Sequence, residues 1–171
     1  MIDFLFPTEG MGSQTLRTVA EAAYGGGDVF EISRVCRGIE VGDKDGFERA
    51  WIEKAEETEE RAKKAEAAGH FRTAMNYYYA ANQYWRMSDV LLTIERNDDK
   101  RQRFLKSQQC FQAGAKFNDP KIEVIKVPCG DEVYEGYFCH PRNPKTEKWP
   151  AVLFLGGADA FAEEIYFGGS E

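Results

Sequence analysis

The period of the apolar residues changes once along this chain, at Asn118-Asp119-Pro120, and that change limits what it can fold into. Before it, apolar and small residues recur at spacings of three and four, the repeat of an α-helix. After it come β-branched residues, Ile122, Val124, Ile125 and Val127, then a Pro128-Cys129-Gly130-Asp131 turn and a second extended stretch, Val133–Cys139. The spacing predicts a helical part, 1–118, and a strand-containing part, 119–171.

Within the first part, Ser13 is expected to cap a helix running to about Tyr24, and Gly25-Gly26-Gly27 to end it. Asp28 then caps a second helix from Val29 to about Ile39. A long helix is predicted from Asp45 to about Ala68, with Phe47, Trp51, Ala55, Thr58, Ala62 and Ala65 as its buried stripe. Glu57–Arg61, Glu59–Lys63 and Glu60–Lys64 place acid before base at the favourable spacing of four. Gly69 stops this helix. The next, about His70 to Ile94, is apolar on two faces: Phe71, Ala74, Tyr78, Ala81 and Trp85 on one, Tyr77, Ala80, Tyr84 and Leu91 on the other. Such a helix is sandwiched between two layers, the second being more protein, another subunit or a ligand. A last helix is expected from about Asp99 to Lys116, with Phe104, Gln108, Phe111 and Ala115 in register.

In the second part the two extended stretches read as an antiparallel hairpin. Pro141 to Lys148 is a polar loop. Ala151-Val152-Leu153-Phe154-Leu155 is an unbroken apolar run of the kind buried on both faces of a parallel sheet. Gly156-Gly157 ends it, and Ala158 to Phe167 is predicted helical.

A formal net charge of −7 disfavours nucleic acid and anionic membrane surfaces as partners. No apolar stretch approaches the ~18 residues of a membrane span. The start, Met1-Ile2-Asp3-Phe4-Leu5-Phe6-Pro7, has an acid where a secretory signal wants a base, so a cytoplasmic protein is expected. Cys36, Cys110, Cys129 and Cys139 lie far apart and form no metal-binding pattern; reduced, buried thiols are expected, with no metal and no cofactor.

The order hairpin, proline-containing loop, buried apolar strand, Gly-Gly and helix resembles the entry to an α/β-hydrolase sheet. The chain is similar to one branch, in which a helical domain precedes the core, as in fermentation–respiration-switch-like esterases, fungal polyketide-shortening hydrolases and pseudooxynicotine-type C–C hydrolases. The matching residues are Gly42-Asp43 with Trp51, Ala65 through Gly69-His70, Thr73-Ala74, Tyr79-Ala80-Ala81, Tyr84-Trp85, Gly136-Tyr137, and Gly156-Gly157-Ala158-Asp159 with Glu163-Glu164. Ala158 and Ala160 depart from the branch, which has a larger apolar residue and a hydroxyl there. The resemblance implies a mainly α N-terminal cap-type domain followed by the first strands of a hydrolase sheet. It further implies cleavage of an ester, or of a C–C bond beside a carbonyl, in a small-molecule substrate, by a serine on a sharp strand–helix elbow with a later acid and histidine.

That machinery is not found in these residues. No complete G-x-S-x-G occurs, and Gly168-Gly169-Ser170 follows a helix rather than a buried strand, so Ser170 is not expected to be a nucleophile. The chain alone is therefore expected to be inactive. By position, the resemblance assigns Gly157 and Ala158 to the loop whose backbone N–H groups help form the oxyanion hole. His140 and His70 read as loop and helix-start residues, Asp159 as a helix cap, and Glu163-Glu164 as acids near the positive helix end, with orientation of part of the oxyanion loop as their alternative role. Of the aromatic group, Tyr77 and Tyr84 are the candidates to line a substrate site, and the doubly apolar helix allows a homodimer. The expected third strand, Ala151–Leu155, would lack its proper neighbours here and be left unpaired. The competing reading is a tetratricopeptide-like interaction module over Trp51–Trp85; against it, the next similar segment lies about 45 residues on rather than the repeat's usual ~34.

Overall fold

The computed structural model describes residues 6, 10–142, 148, 150–157 and 160–169. Helices α1 (Met11–Ala22), α2 (Val29–Arg37), α3 (Lys44–Ala67), α4 (Phe71–Asp89) and α5 (Asn97–Ala115) precede strands β1 (Ile122–Cys129) and β2 (Glu132–Cys139) and helix α6 (Ala162–Gly169).

Local chemistry sets most of these limits. The Asp28 carboxylate accepts the Glu31 N–H at 2.8 Å and starts α2. Asp43 does the same for α3 through the Gly46 N–H, also at 2.8 Å. Ser13 does not cap α1: its hydroxyl donates one turn back to the Gly10 carbonyl, and the helix begins at Met11. Gly69, at φ 76°, ends α3 in the left-handed region and turns the chain back into α4.

The predicted stripe on α3 is the buried one, with Phe47, Trp51, Ala55, Thr58 and Ala62 all at 0% exposure. It packs against α4. Of the three predicted ion pairs on α3, Glu57–Arg61 and Glu59–Lys63 form, whereas Glu60 pairs with Lys63. From Asn82 to Asp89 every residue of α4 is buried. The two layers around it are α3 on one side and α1, α5 and α6 of the same chain on the other. At the α4–α5 crossing the Asn82 amide donates to the Ser107 carbonyl and hydroxyl, and that hydroxyl donates back to the Asn82 carbonyl. Gly114 belongs there because a Cβ would come within 2.9 Å of the Tyr79 ring.

β1 and β2 pair antiparallel from Ile122 opposite Cys139 to Cys129 opposite Glu132, around a Gly130-Asp131 turn with Gly130 at φ 61°. Tyr137 rests on Phe111 of α5, with ring centroids 4.7 Å apart. Val127, Val133 and Tyr134 are exposed.

Ala151–Leu155 pairs with no strand among the described residues, in keeping with a run whose proper neighbours are missing here, and Val152, Leu153 and Leu155 are 74–81% exposed. Two expectations need correction. Only Cys36 and Cys110 are buried thiols; Cys129 and Cys139 are exposed because no layer covers the ends of the hairpin. Finally, α6 begins at Ala162, four residues later than expected from Ala158.

Candidate functional site

The candidate site in the second segment is the turn at Gly156-Gly157 with the helix behind it. The two glycines differ. A Cβ on Gly156 would lie 2.6 Å from the Ala160 Cβ and 3.0 Å from the Ile165 Cδ1, so the first glycine is required by packing against α6. Gly157 has no described atom within 4 Å of a Cβ built there. Its carbonyl accepts the Ala160 N–H at 3.3 Å, closing the turn. Ala158 and Asp159, assigned above to the oxyanion loop and the helix cap, lie outside the described residues, as does Ser170.

Behind this turn α6 is held by two adjacent carboxylates. Glu164 is 6% exposed; its Oε2 accepts the Phe161 N–H and an Arg17 N–H, each at 2.8 Å, and its Oε1 lies 3.1 Å from the Arg86 Nε. The bond to Phe161 is that of a glutamate reaching back to the residue just before its own helix. Arg86 also pairs with Asp89 at 3.3 Å and covers the Phe161 ring at 4.7 Å from its centroid. Glu163 faces the other way and accepts the Tyr137 hydroxyl, which joins α6 to β2. Burial raises the pKa of Glu163 and pushes that of the Tyr137 hydroxyl up. Around them Tyr79, Phe111, Tyr166 and Phe167 form an aromatic cluster, and the Tyr79 and Tyr166 hydroxyls share the Asn118 carboxamide oxygen.

The paired acids therefore act as anchors. Tyr84 does not line a cleft either: it is fully buried against Trp51, its hydroxyl accepting the Asp28 N–H at 3.1 Å and donating to Glu31 at 3.2 Å. It packs α2 onto α4. Tyr77 is half-buried beside Ala62, Ala74 and Tyr78. His140 lies at the end of β2, 3.5 Å from Glu123, and His70 immediately precedes α4. Among the described residues no group of three or more His, Cys, Asp or Glu side chains could hold a metal ion, and no helix is long and apolar enough to cross a membrane.

Sequence reasoning missed the buried ionic cluster of Arg17, Glu21, Arg86, Asp89 and Glu164. Spacing could pair Arg17 with Glu21 and Arg86 with Asp89, but no local signal brings Glu164 to them. Desolvation, then the neighbouring Glu164, raises Glu21 to about 7 against the pull of Arg17 and Arg86; desolvation raises Asp89 to about 6. The Oε2 of Glu21 has no hydrogen-bond partner among the described residues, which leaves a place for a proton. Between pH 4.5 and about 7 folded Glu21 retains a proton that the unfolded chain has lost. Stability should thus fall as pH rises through that window, by on the order of 3 kcal/mol. Asp89 adds a decline of the same sign up to about pH 6. Urea denaturation at pH 5 and pH 8 should give the lower midpoint at pH 8, with a smaller difference in Glu21→Gln; an equal difference in that variant would remove Glu21 from the account.

A helical layer bearing an antiparallel hairpin, an extended apolar run, a Gly-Gly turn and a helix seated behind it is the opening of a hydrolase-type α/β core. Comparison with known proteins gives the same class. The chain is 31% identical over 156 residues to alpha/beta hydrolase gkaG of Penicillium citrinum, covering 88% of this chain and 36% of that protein. It is 29% identical over 170 residues to 20-hydroxy-prefusarin hydrolase FUS2 of Gibberella moniliformis, covering 97% of this chain and 41% of that protein. Hydrolase ORFZ of Pyricularia oryzae is 31% identical over 166 residues, or 90% of this chain and 38% of the relative. No family model matches. The chain is thus similar to α/β-hydrolases over about nine-tenths of its length, and it spans about two fifths of the length of these curated relatives.

Proposed function

We propose that this chain supplies the helical cap-type domain (1–118) and the opening of the core (119–171) of a serine-type α/β-hydrolase. The enzyme cleaves an ester, or a C–C bond beside a carbonyl, in a small molecule, and its nucleophile, acid and histidine lie outside these residues. The observation that carries this is the open Gly157 turn. It follows an apolar run and is braced by α6, in a chain similar to hydrolases over about nine-tenths of its length. One such relative is named for hydrolysis of 20-hydroxy-prefusarin.

The chemistry assigned to the turn is electrostatic. Attack on a carbonyl moves negative charge onto its oxygen, and backbone N–H groups of Gly157 and Ala158 would stabilise that oxygen as it forms. Gly157 allows close approach because no side chain stands in the way. Backbone donors alone cannot begin acyl transfer. The 171-residue chain should therefore neither hydrolyse an activated aryl ester nor label with a fluorophosphonate, whereas the complete polypeptide containing it should do both. Stoichiometric labelling of the chain alone, lost in Ser170→Ala, would overturn the assignment of the nucleophile to residues outside it.

A further inference from the structure

We propose that Arg86, on α4 of the helical part, is a positioning residue for the Gly157 turn and acts through Glu164. The proposal rests on the hydrolase reading above and deepens it, because it makes the helical layer a determinant of oxyanion-hole geometry.

The path is short and its contacts are specific. Arg86 and Glu164 are 5% and 6% exposed, so their attraction acts away from water. The Arg86 Nε lies 3.1 Å from one carboxylate oxygen of Glu164, while the other accepts the Phe161 N–H at 2.8 Å. Arg86 also lies over the Phe161 ring, which makes an edge contact with Phe104 of α5 at a centroid distance of 4.9 Å. Phe161 is thereby fixed at both its backbone and its ring. One residue back, the Ala160 N–H donates to the Gly157 carbonyl, and the Ala160 Cβ and Ile165 side chain close against Gly156. The turn has no other described layer behind it, so residues 160–165 set where Gly157 sits. Arg17 also binds Glu164, but at 34% side-chain exposure it is the more strongly screened of the two cations.

An oxyanion donor must meet the oxygen at hydrogen-bond distance in the transition state, and its displacement weakens that state more than the bound ground state. In the complete polypeptide, Arg86→Gln and Glu164→Gln should each lower kcat on an activated aryl ester by roughly tenfold while KM stays within about twofold. Affinity for a trifluoromethyl ketone, which forms a tetrahedral adduct, should fall in parallel with kcat, and Arg86→Lys should recover part of the loss. The Phe161 amide should exchange faster with solvent in Glu164→Gln. If Arg86→Gln does not fold, Arg86→Lys and Glu164→Gln carry the same readouts. An unchanged kcat in a folded Glu164→Gln variant, or a loss confined to KM, overturns the proposal. Gly157→Val in the same protein separates the two levels. If it loses kcat while the Arg86 and Glu164 variants do not, the positioning role alone fails; if it keeps kcat, the oxyanion reading fails and the positioning role with it.

Discussion

In the complete hydrolase, Gly157→Val should depress kcat by about 10²–10³, the loss associated with removing one oxyanion donor. The reason is placement rather than bulk inside the turn. Nothing in the described structure lies within 4 Å of a Cβ at this position, so the valine has room and the fold should survive. What changes is the space in front of the backbone, where a branched side chain would keep a carbonyl oxygen from reaching the N–H groups. KM should move much less than kcat, because the lost interaction belongs mainly to the transition state. Gly156→Val should behave differently. Its Cβ would overlap Ala160, so it should disturb the seating of α6 and lower stability as well as rate. Thermal denaturation alongside steady-state kinetics distinguishes the two. A folded Gly157→Val enzyme with unchanged kcat would reduce the Gly-Gly pair to a plain turn.

The largest expected stability effect is at Trp51. It is fully buried between Phe47 and Tyr84, at centroid distances of 6.0 and 5.5 Å, and joins α3 to α4 beneath α2. Trp51→Ala removes a large ring from a site that rigid helices cannot close, and should cost about 3–5 kcal/mol. The indole Nε1 is buried and has no hydrogen-bond partner among the described residues, so Trp51→Phe gives up no hydrogen bond. That variant should cost only about 1–2 kcal/mol, the effect of reduced volume. Urea denaturation of both variants tests this. A midpoint for Trp51→Ala close to the native one would mean that the helical part is held together elsewhere.

Much of the helical architecture was legible because its signals are local. Asp28, Gly69 and the Phe47–Ala62 stripe act within a few residues of themselves, and period and turn chemistry identify them directly. The hairpin was legible for the same reason: Gly130-Asp131 and the β-branched residues on β1 are local signals. For Tyr84, amphipathic spacing shows that a side chain is apolar and faces a layer, not whether that layer is protein or ligand. Ala151–Leu155 has the composition of a buried strand, but burial depends on neighbours that composition cannot supply. Gly156 and Gly157 could be placed as a turn, yet their division into a packed and an open glycine depends on Ala160 and Ile165. The ionic cluster was invisible, since Arg17 and Glu164 meet across 147 positions of sequence.

That long separation also bears on the order in which the structure assembles. The α3–α4 and α4–α5 hairpins join neighbours in sequence and can form early, whereas α6 can dock only after nearly all of this chain exists. Until it does, Arg86 is held beside Asp89, and Arg17 beside Glu21, without the carboxylate that links the two pairs. Docking of α6 is then the step at which a helical scaffold that has already condensed acquires its charge complement. Seen in time rather than in space, Glu164 is a latch that closes only when the last described helix reaches the helices that precede it.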